Sequence, residues 1–260
     1  MIRTVYIYMM ALKNSFASRM AYRADFLFCS IMSFLSGMLI PLITVLIYGI
    51  GSTFPGWSLY EALLLQGTFM LSNGVASLTF FGIVGSTLHH VREGTYDLLL
   101  IKPRSTLFLS VANGFEPDSI GTVLGGIYII RLSLDKLGWP GMVSWIRFLI
   151  LFILSLLVLF AFSLFMAGSV FKWVGNSRIF EIFDSIASFG NYPRTIFSKS
   201  FQALISYVIP IAMIGFFPAS ALLGKAIDGA LPAALVCFIF LALGLSFWKI
   251  MLSKYTSAGG

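Results

Sequence analysis

The chain has 260 residues, of which 58% are hydrophobic and only 10% are charged, and its mean hydropathy is +0.95. Soluble proteins carry about 25% charged residues, so this composition excludes an ordinary water-facing surface, and 26 phenylalanines exclude disorder. The two cysteines, Cys29 and Cys237, lie in apolar runs, which excludes a secreted disulfide scaffold. The fold class predicted is an all-α polytopic membrane protein. Its net charge of +7 suits anionic lipid headgroups and requires no nucleic-acid partner.

The first 24 residues predict a helix that lies in the membrane interface. An apolar stripe at helical spacing extends over about four turns and consists of Val5, Met9, Leu12, Phe16 and Met20. Lys13 and Arg19 flank the stripe, where their side chains would reach lipid phosphates. The alternative is a frayed basic tail, and the length of the stripe favours the interfacial helix.

Six segments are long enough to cross a bilayer, which requires about 20 mostly apolar residues. Five of them contain no Asp, Glu, Lys or Arg, and these cover about 26–50, 62–88, 148–171, 201–223 and 229–248. The remaining segment, 106–130, contains Glu116 and Asp118. Continuous apolar runs argue against membrane β-strands, which alternate. The whole chain, 1–260, is therefore predicted to be a single transmembrane domain of six helices.

The basic residues predict the orientation of these spans. With six spans, one side of the membrane receives 13 of the 17 Lys and Arg residues, Arg194 among them, and the other side receives 4, including Lys225. The side with 13 is predicted to be the cytoplasm, and both termini lie there. Omitting the span 106–130 weakens this bias, so the charge pattern favours counting it.

The segment between the fourth and fifth predicted spans is amphipathic. Polar residues such as Glu181, Asp184 and Ser188 share one helical face, and phenylalanine and isoleucine occupy the other. It is too short to span the bilayer, so we expect it to lie flat on the membrane until Gly190 and Pro193 break the helix.

The loop 89–103 combines charge with apolar residues. A loop built for solvent would not carry the run 98–101, Leu-Leu-Leu-Ile, so it is expected to rest on lipid or dock on a partner. Thr95 is predicted to cap a short helix, Gly94 to allow a sharp exit from the second span, and Pro103 to open the third.

Glu116 and Asp118 flank Pro117 within the predicted third span. Carboxylates in a membrane are costly and mark a substrate path, a proton site or a partner contact. Two structural interpretations are favoured over a substrate site: a break in the helix over 113–119, or capping of the second half of a broken helix. Nearby, Gly121 and Gly125 form a small-xxx-small pair that would let another helix approach closely.

Prolines mark one span as a candidate for breaking or gating. Pro210 and Pro218 both fall in the predicted fifth span, where they would kink the helix around a pathway or be tolerated by neighbouring groups.

The sequence lacks the common catalytic and cofactor motifs. It contains no Gly-x4-Gly-Lys-Ser/Thr phosphate-binding loop, no Cys/His metal spacing and no His-Glu-x-x-His. His89 and His90 are adjacent and would point in different directions on a helix, so they are interpreted as a titratable interface pair. The chain is predicted to be non-enzymatic, with no catalytic residue, cofactor or metal of its own.

With these features in place, the chain resembles the membrane permease subunits of ABC type-2 exporters, in particular a small bacterial branch. The resemblance rests on the motif at 92–103, Arg-Glu-Gly-Thr-Tyr-Asp-Leu-Leu-Leu-Ile-Lys-Pro, followed by Asn-Tyr-Pro at 191–193, Val-Ile-Pro at 208–210 and Phe-Pro-Ala-Ser-Ala-Leu-Leu-Gly at 217–224. The acidic Phe-Glu-Pro-Asp at 115–118 departs from the family pattern.

The resemblance implies a half-transporter in a bacterial cytoplasmic membrane. Two permeases, identical or sister proteins, would form the pathway, and each would sit on a separate ATPase subunit that holds ATP and Mg²⁺. The loop would be a coupling helix pressed into that ATPase through Arg92, Glu93, Gly94, Tyr96, Asp97, Leu98, Leu99, Leu100 and Lys102. Two alternatives stay open: a self-sufficient secondary transporter or channel that uses Glu116 and Asp118, and a non-transporting membrane assembly protein.

Overall fold

A computed structural model describes residues 2–173, 178–225, 227 and 229–256. Within these ranges the regular structure is helical, and twelve α-helices follow one another: α1 Ile2–Ala21, α2 Arg23–Gly49, α3 Leu59–Ala76, α4 Ile83–Arg92, α5 Asp97–Leu100, α6 Thr106–Asn113, α7 Ile120–Leu137, α8 Met142–Val170, α9 Arg178–Ser188, α10 Lys199–Tyr207, α11 Phe216–Leu222 and α12 Ala230–Leu252. A π-helical turn, Ser77–Phe81, joins α3 to α4. The all-α prediction is confirmed.

Four of the described helices are long and apolar enough to cross a bilayer, counting α3 and α4 as one: Arg23–Gly49, Leu59–Arg92, Met142–Val170 and Ala230–Leu252. A fifth is added only if α10 and the segment Ile211–Leu222, which meet at 74°, count as one span. We call the end of the molecule that holds Trp57 the outer end, and the end that holds Tyr96 the inner end.

The range 106–130 is not one helix. α6 stops at Asn113, a short 3-10 turn covers Pro117–Ser119, and α7 then runs on to Leu137. The cause is local, because Gly114 to Pro117 offers a glycine followed by a proline that cannot continue the α6 hydrogen-bond ladder. α7 extends from Gly121, against Ser30 at the start of α2, to Leu134, which packs with Leu64 and Phe148.

α9 does not lie apart from the other helices, contrary to the flat placement expected for it. Phe183 packs against Phe162 and Phe165 in the inner half of α8, with ring centroids 5.9 and 6.3 Å apart. Beyond α9 the chain continues outward, and the Tyr192 ring meets Phe54 near the outer end at 6.1 Å. The stretch from α9 to Tyr192 therefore runs from the inner part of the molecule to its outer end. The apolar side of α9 faces α8 because the phenylalanines of α8 pack against it.

The predicted fifth span, 201–223, is wrong as a crossing, because the chain enters and leaves this region at the same end. Thr195, before it, accepts a hydrogen bond from Trp57 Nε1 at 3.1 Å, and Lys225, after it, lies 4.2 Å above the Trp57 ring. Between them the chain dips inward until the Ile214 carbonyl accepts a hydrogen bond from Ser72. We call 196–224 the re-entrant hairpin.

Small residues allow the central helices to approach one another closely. A methyl group on Gly121 would collide with the Ser30 backbone of α2, and one on Gly126 would lie 2.6 Å from the Leu71 nitrogen of α3. The predicted close approach at Gly121 is thus confirmed, and α2, α3 and α7 form a tightly packed group.

Candidate functional site

At the inner end, α4, α5 and α6 form a helical cap on the ends of α8 and α12. Gly94, at φ 67°, makes the sharp exit from α4 that the sequence predicts. The capping prediction for Thr95 is wrong, because its hydroxyl is 2.8 Å from His90 Nδ1 and Tyr96 stands at the N-cap of α5. Pro103 does not open the next helix; Ser105 caps α6 instead, accepting from the Phe108 N–H.

Tyr96 and Leu99 anchor this cap to the rest of the protein. The Tyr96 side chain is fully buried, with its ring 4.9 Å from Phe171 and 5.4 Å from Tyr255. Burial raises the pKa of Tyr96 to about 12, so the phenol stays neutral at physiological pH. Leu99, 3% exposed, joins the same apolar cluster, which includes Trp248. A displacement of α5 would therefore be transmitted through this cluster to the ends of α8 and α12.

The other apolar residues of the run face outward. Leu98 is 58% exposed, Ile101 is 78% exposed, and Leu100 also lies at the surface. Charged residues flank this run in the chain, and Arg92, Glu93 and Lys102 are all exposed. We call Leu98, Leu100 and Ile101 the inner patch. An apolar centre inside a polar rim is the anatomy of a protein–protein interface.

The carboxylates singled out by sequence lie where the third predicted span is broken. Asp118 Oδ2 is 3.1 Å from the Arg19 guanidinium of α1, and Asp25 of α2 is 3.7 Å from the same arginine. Asp118 thus ties α1 to the break. Glu116 is exposed, and a methyl group on Gly82 would lie 2.8 Å from its Oε1.

The two prolines of the re-entrant hairpin have different surroundings. Pro210 stands between α10 and the 3-10 turn Ile211–Met213, at the 74° bend. Pro218 is the third residue of α11 and introduces no break, because the first turn of a helix does not need its N–H. Only Pro210 marks a kink.

Sequence reasoning missed a cluster at the outer end. Lys225 Nζ is 2.9 Å from Glu61 and stacks on Trp57, and the Arg194 guanidinium lies 4.9 Å from the Phe216 ring. The Phe216 and Trp57 rings lie 5.7 Å apart, so Arg194 is near Lys225, although the sequence predicts that they lie on opposite sides. The residues are far apart in sequence, and only the inward dip of the re-entrant hairpin brings them together.

A polar strip along one side of the protein was missed as well. It comprises Asn73, Ser77, Asp184, Ser185 and Ser188, all at least partly exposed. Asn73 and Ser77 follow Phe69 at four-residue steps, and Phe69 lies against Gly190 just beyond α9. This contact brings the α3 face beside the chain at the outer end of α9. The amphipathic pattern of α9 was visible in sequence, but its neighbour was not.

No cluster of three or more His, Cys, Asp or Glu side chains suited to a metal ion occurs in the part of the chain that the structure describes. The comparisons with known proteins give one result. Residues 30–259 match the family described as ABC-2 family transporter protein, whereas no curated protein and no solved structure matches the chain. That match covers most of the protein and agrees with its apolar helices, so this multi-pass membrane protein belongs to the ABC-2 transporter family.

Proposed function

We propose that the chain is the permease subunit of an ABC exporter that pairs with a second permease and is driven by a separate ATPase. The observation that carries this proposal is the inner patch, held on α5 between two long helical regions by the buried Tyr96 and Leu99. The family match supports a transport role, and ATP with Mg²⁺ would be bound on the partner.

In this proposal six segments cross the cytoplasmic membrane of a bacterium and both termini are cytoplasmic. The crossings are α2, α3 with α4, α7, α8, the stretch from α9 to Tyr192, and α12. α7 is 18 residues long, close to the length a bilayer requires. Transferring Arg194 and Lys199 to the outer side changes the basic-residue split to 11 against 6, which still favours a cytoplasmic inner end.

The residues of the loop divide into two roles. Tyr96 and Leu99 transmit force inward, whereas the inner patch enters the apolar groove of the ATPase, with Arg92, Glu93, Asp97 and Lys102 around it. Gly94 sets the turn that presents α5. A short helix fixed at both ends can pass on a rigid-body movement of its partner.

The pathway is proposed to run along the polar strip, between this chain and a second permease. Lipid would cover Asp184 only at a cost of about 2.5–3.5 kcal/mol at the bilayer centre, whereas a water-filled path would hydrate it. The exposed sides of α2 and α12 are apolar and suit membrane lipid.

The alternatives have less support. In a secondary transporter or channel that used Glu116 and Asp118 to bind an ion or proton, Asp118 would have to break its ion pair with Arg19. A non-transporting membrane assembly protein would not account for the match to a family of transporter proteins.

The test replaces Leu98 and Ile101 together by Asp and measures the ATPase that co-purifies from detergent. Truncating a central anchor of such an interface commonly costs 2 kcal/mol or more, about thirtyfold in affinity. We therefore expect the double variant to stay in the membrane, elute as a folded species and lose the ATPase.

Leu99→Ala provides the matched control, since Leu99 lies in the same run but is buried. It should lower thermal stability and keep the ATPase bound to the folded fraction. Retention of the ATPase by the Leu98→Asp, Ile101→Asp variant would show that α5 rests on lipid instead.

A further inference from the structure

A groove runs between the outer halves of α8 and α12. It encloses about 580 Å³, and nine of its ten lining residues are apolar or glycine. They include Ile150, Leu151 and Leu154 from α8 and Ala230 and Ala234 from α12. The groove opens sideways, toward the surface that the neighbouring exposed leucines present to lipid.

The tenth lining residue, Arg147, gives the groove a cationic end. It lies in the second turn of α8, on the outer side of Ile150 and Leu154. Among the described residues no carboxylate comes within ion-pair distance of its guanidinium. Over the described residues, the site is therefore positive at the level of a headgroup and apolar along the next two turns.

We propose that this groove binds one anionic phospholipid, with its phosphate on Arg147 and one acyl chain between α8 and α12. The occupant follows from charge complementarity, because arginine pairs with phosphate through two parallel hydrogen bonds. Basic pockets between membrane helices bind anionic headgroups in the same way. The other nine lining residues have no polar side chain to bind a water-soluble anion, so the groove also requires an acyl chain.

A second groove, between α7 and α8, provides an internal comparison. It is smaller, about 240 Å³, and is lined by Arg131 together with Trp139 and Trp145. Arg131 Nε lies 4.0 Å from Asp135, so part of its charge is already neutralised. The groove between α7 and α8 should therefore bind an anionic lipid more weakly than the groove between α8 and α12.

The experiment counts lipids retained by the purified full chain in native mass spectrometry, after incubation with detergent micelles containing phosphatidylglycerol or phosphatidylcholine. We expect one tightly retained phosphatidylglycerol, preferred over phosphatidylcholine by about fivefold, the ratio that one basic residue near a bilayer surface supplies. Arg147→Gln should remove the preference, whereas Ala234→Phe, which fills the groove, should remove retention of both lipids.

Three further measurements decide the result. Arg131→Gln should leave the preference intact, and Asp228→Asn, next to Gly229 in sequence, should keep or strengthen it. Inorganic phosphate should neither displace the lipid nor raise the melting temperature. The proposal would be overturned if Arg147→Gln kept the wild-type preference for phosphatidylglycerol, or if Arg131→Gln reduced that preference as much as Arg147→Gln. Loss of the preference in Asp228→Asn, or displacement of the lipid by free phosphate, would also overturn it.

Discussion

Asp118, which the sequence placed inside a membrane span, lies at the break before α7 and has a cationic partner. Its side chain is 17% exposed and bonded to Arg19, which also faces Asp25, so one arginine joins α1, α2 and the break before α7. Phe16 and Phe115 pack beside it, with ring centroids 5.4 Å apart. Asp118 therefore has a structural explanation without any substrate.

We predict that Asp118→Asn lowers the melting temperature and that transport falls only with the amount of folded protein. A partly exposed ion pair contributes about 1 kcal/mol or less, so the shift should be a few degrees. Glu116→Gln is the control, because Glu116 is exposed, and it should change the melting temperature little. Melting in detergent, followed by size-exclusion chromatography, measures both. An Asp118→Asn variant that is as stable as the wild type but inactive would point to a role in the pathway.

At the scale of elements, hydropathy identified the helices better than it identified their paths. α2, α8 and α12 coincide with predicted spans because long apolar runs leave few alternatives. The region 196–224 is as apolar as a span, but a hydrogen bond from Trp57 to Thr195, just before it, and one from Ser72 to Ile214 within it hold it as a hairpin. No local pattern encodes such contacts, since the partners are more than a hundred residues away.

The same limit applies to the candidate site. The run at 98–101 indicated a loop that rests on lipid or docks on a partner, yet sequence could not separate the buried Leu99 from the exposed Leu98 and Ile101. That division depends on the position of α5 relative to Phe171 and Trp248, which come from later helices.

The re-entrant path makes a direct prediction about labelling. In a background without Cys29 and Cys237, single cysteines at Ser52 and Thr195 should both react with an impermeant thiol reagent added outside, and Ser253→Cys should not. The reason is that the Thr195 side chain contacts Trp57, in the same outer region as Ser52. If Thr195→Cys behaved like Ser253→Cys, the region 201–223 would be a crossing after all.

At the scale of the whole molecule, lateral surfaces differ in what can cover them. In the apolar window of α2 only 11% of residues are buried, and in that of α12 only 22%, against 56% for α8. The exposed residues of α2 and α12 are mostly leucine, isoleucine and phenylalanine, which lipid tails solvate at no cost. The polar strip on α3 and α9 differs from these surfaces, because it carries a carboxylate and two serines of α9 outward. A second permease, with water between its polar strip and this one, would leave the carboxylate and the serines hydrated.

For a second permease identical to this chain, this arrangement predicts a cross-link between the two copies through the polar strip. Ser188→Cys, without the native cysteines, should form a dimer of twice the chain mass in membranes treated with a bifunctional thiol reagent. Leu243→Cys is the matched control, because Leu243 is exposed on α12 and its neighbour Gly244 packs against Ala161, in the inner half of α8. It should remain monomeric if that side faces lipid. Denaturing electrophoresis separates the monomer from the cross-linked dimer. The assay needs only the expressed protein, so it can be carried out before any substrate is known. A dimer formed through Leu243→Cys, with none through Ser188→Cys, would assign the contact between permeases to α12 and leave the strip without a partner.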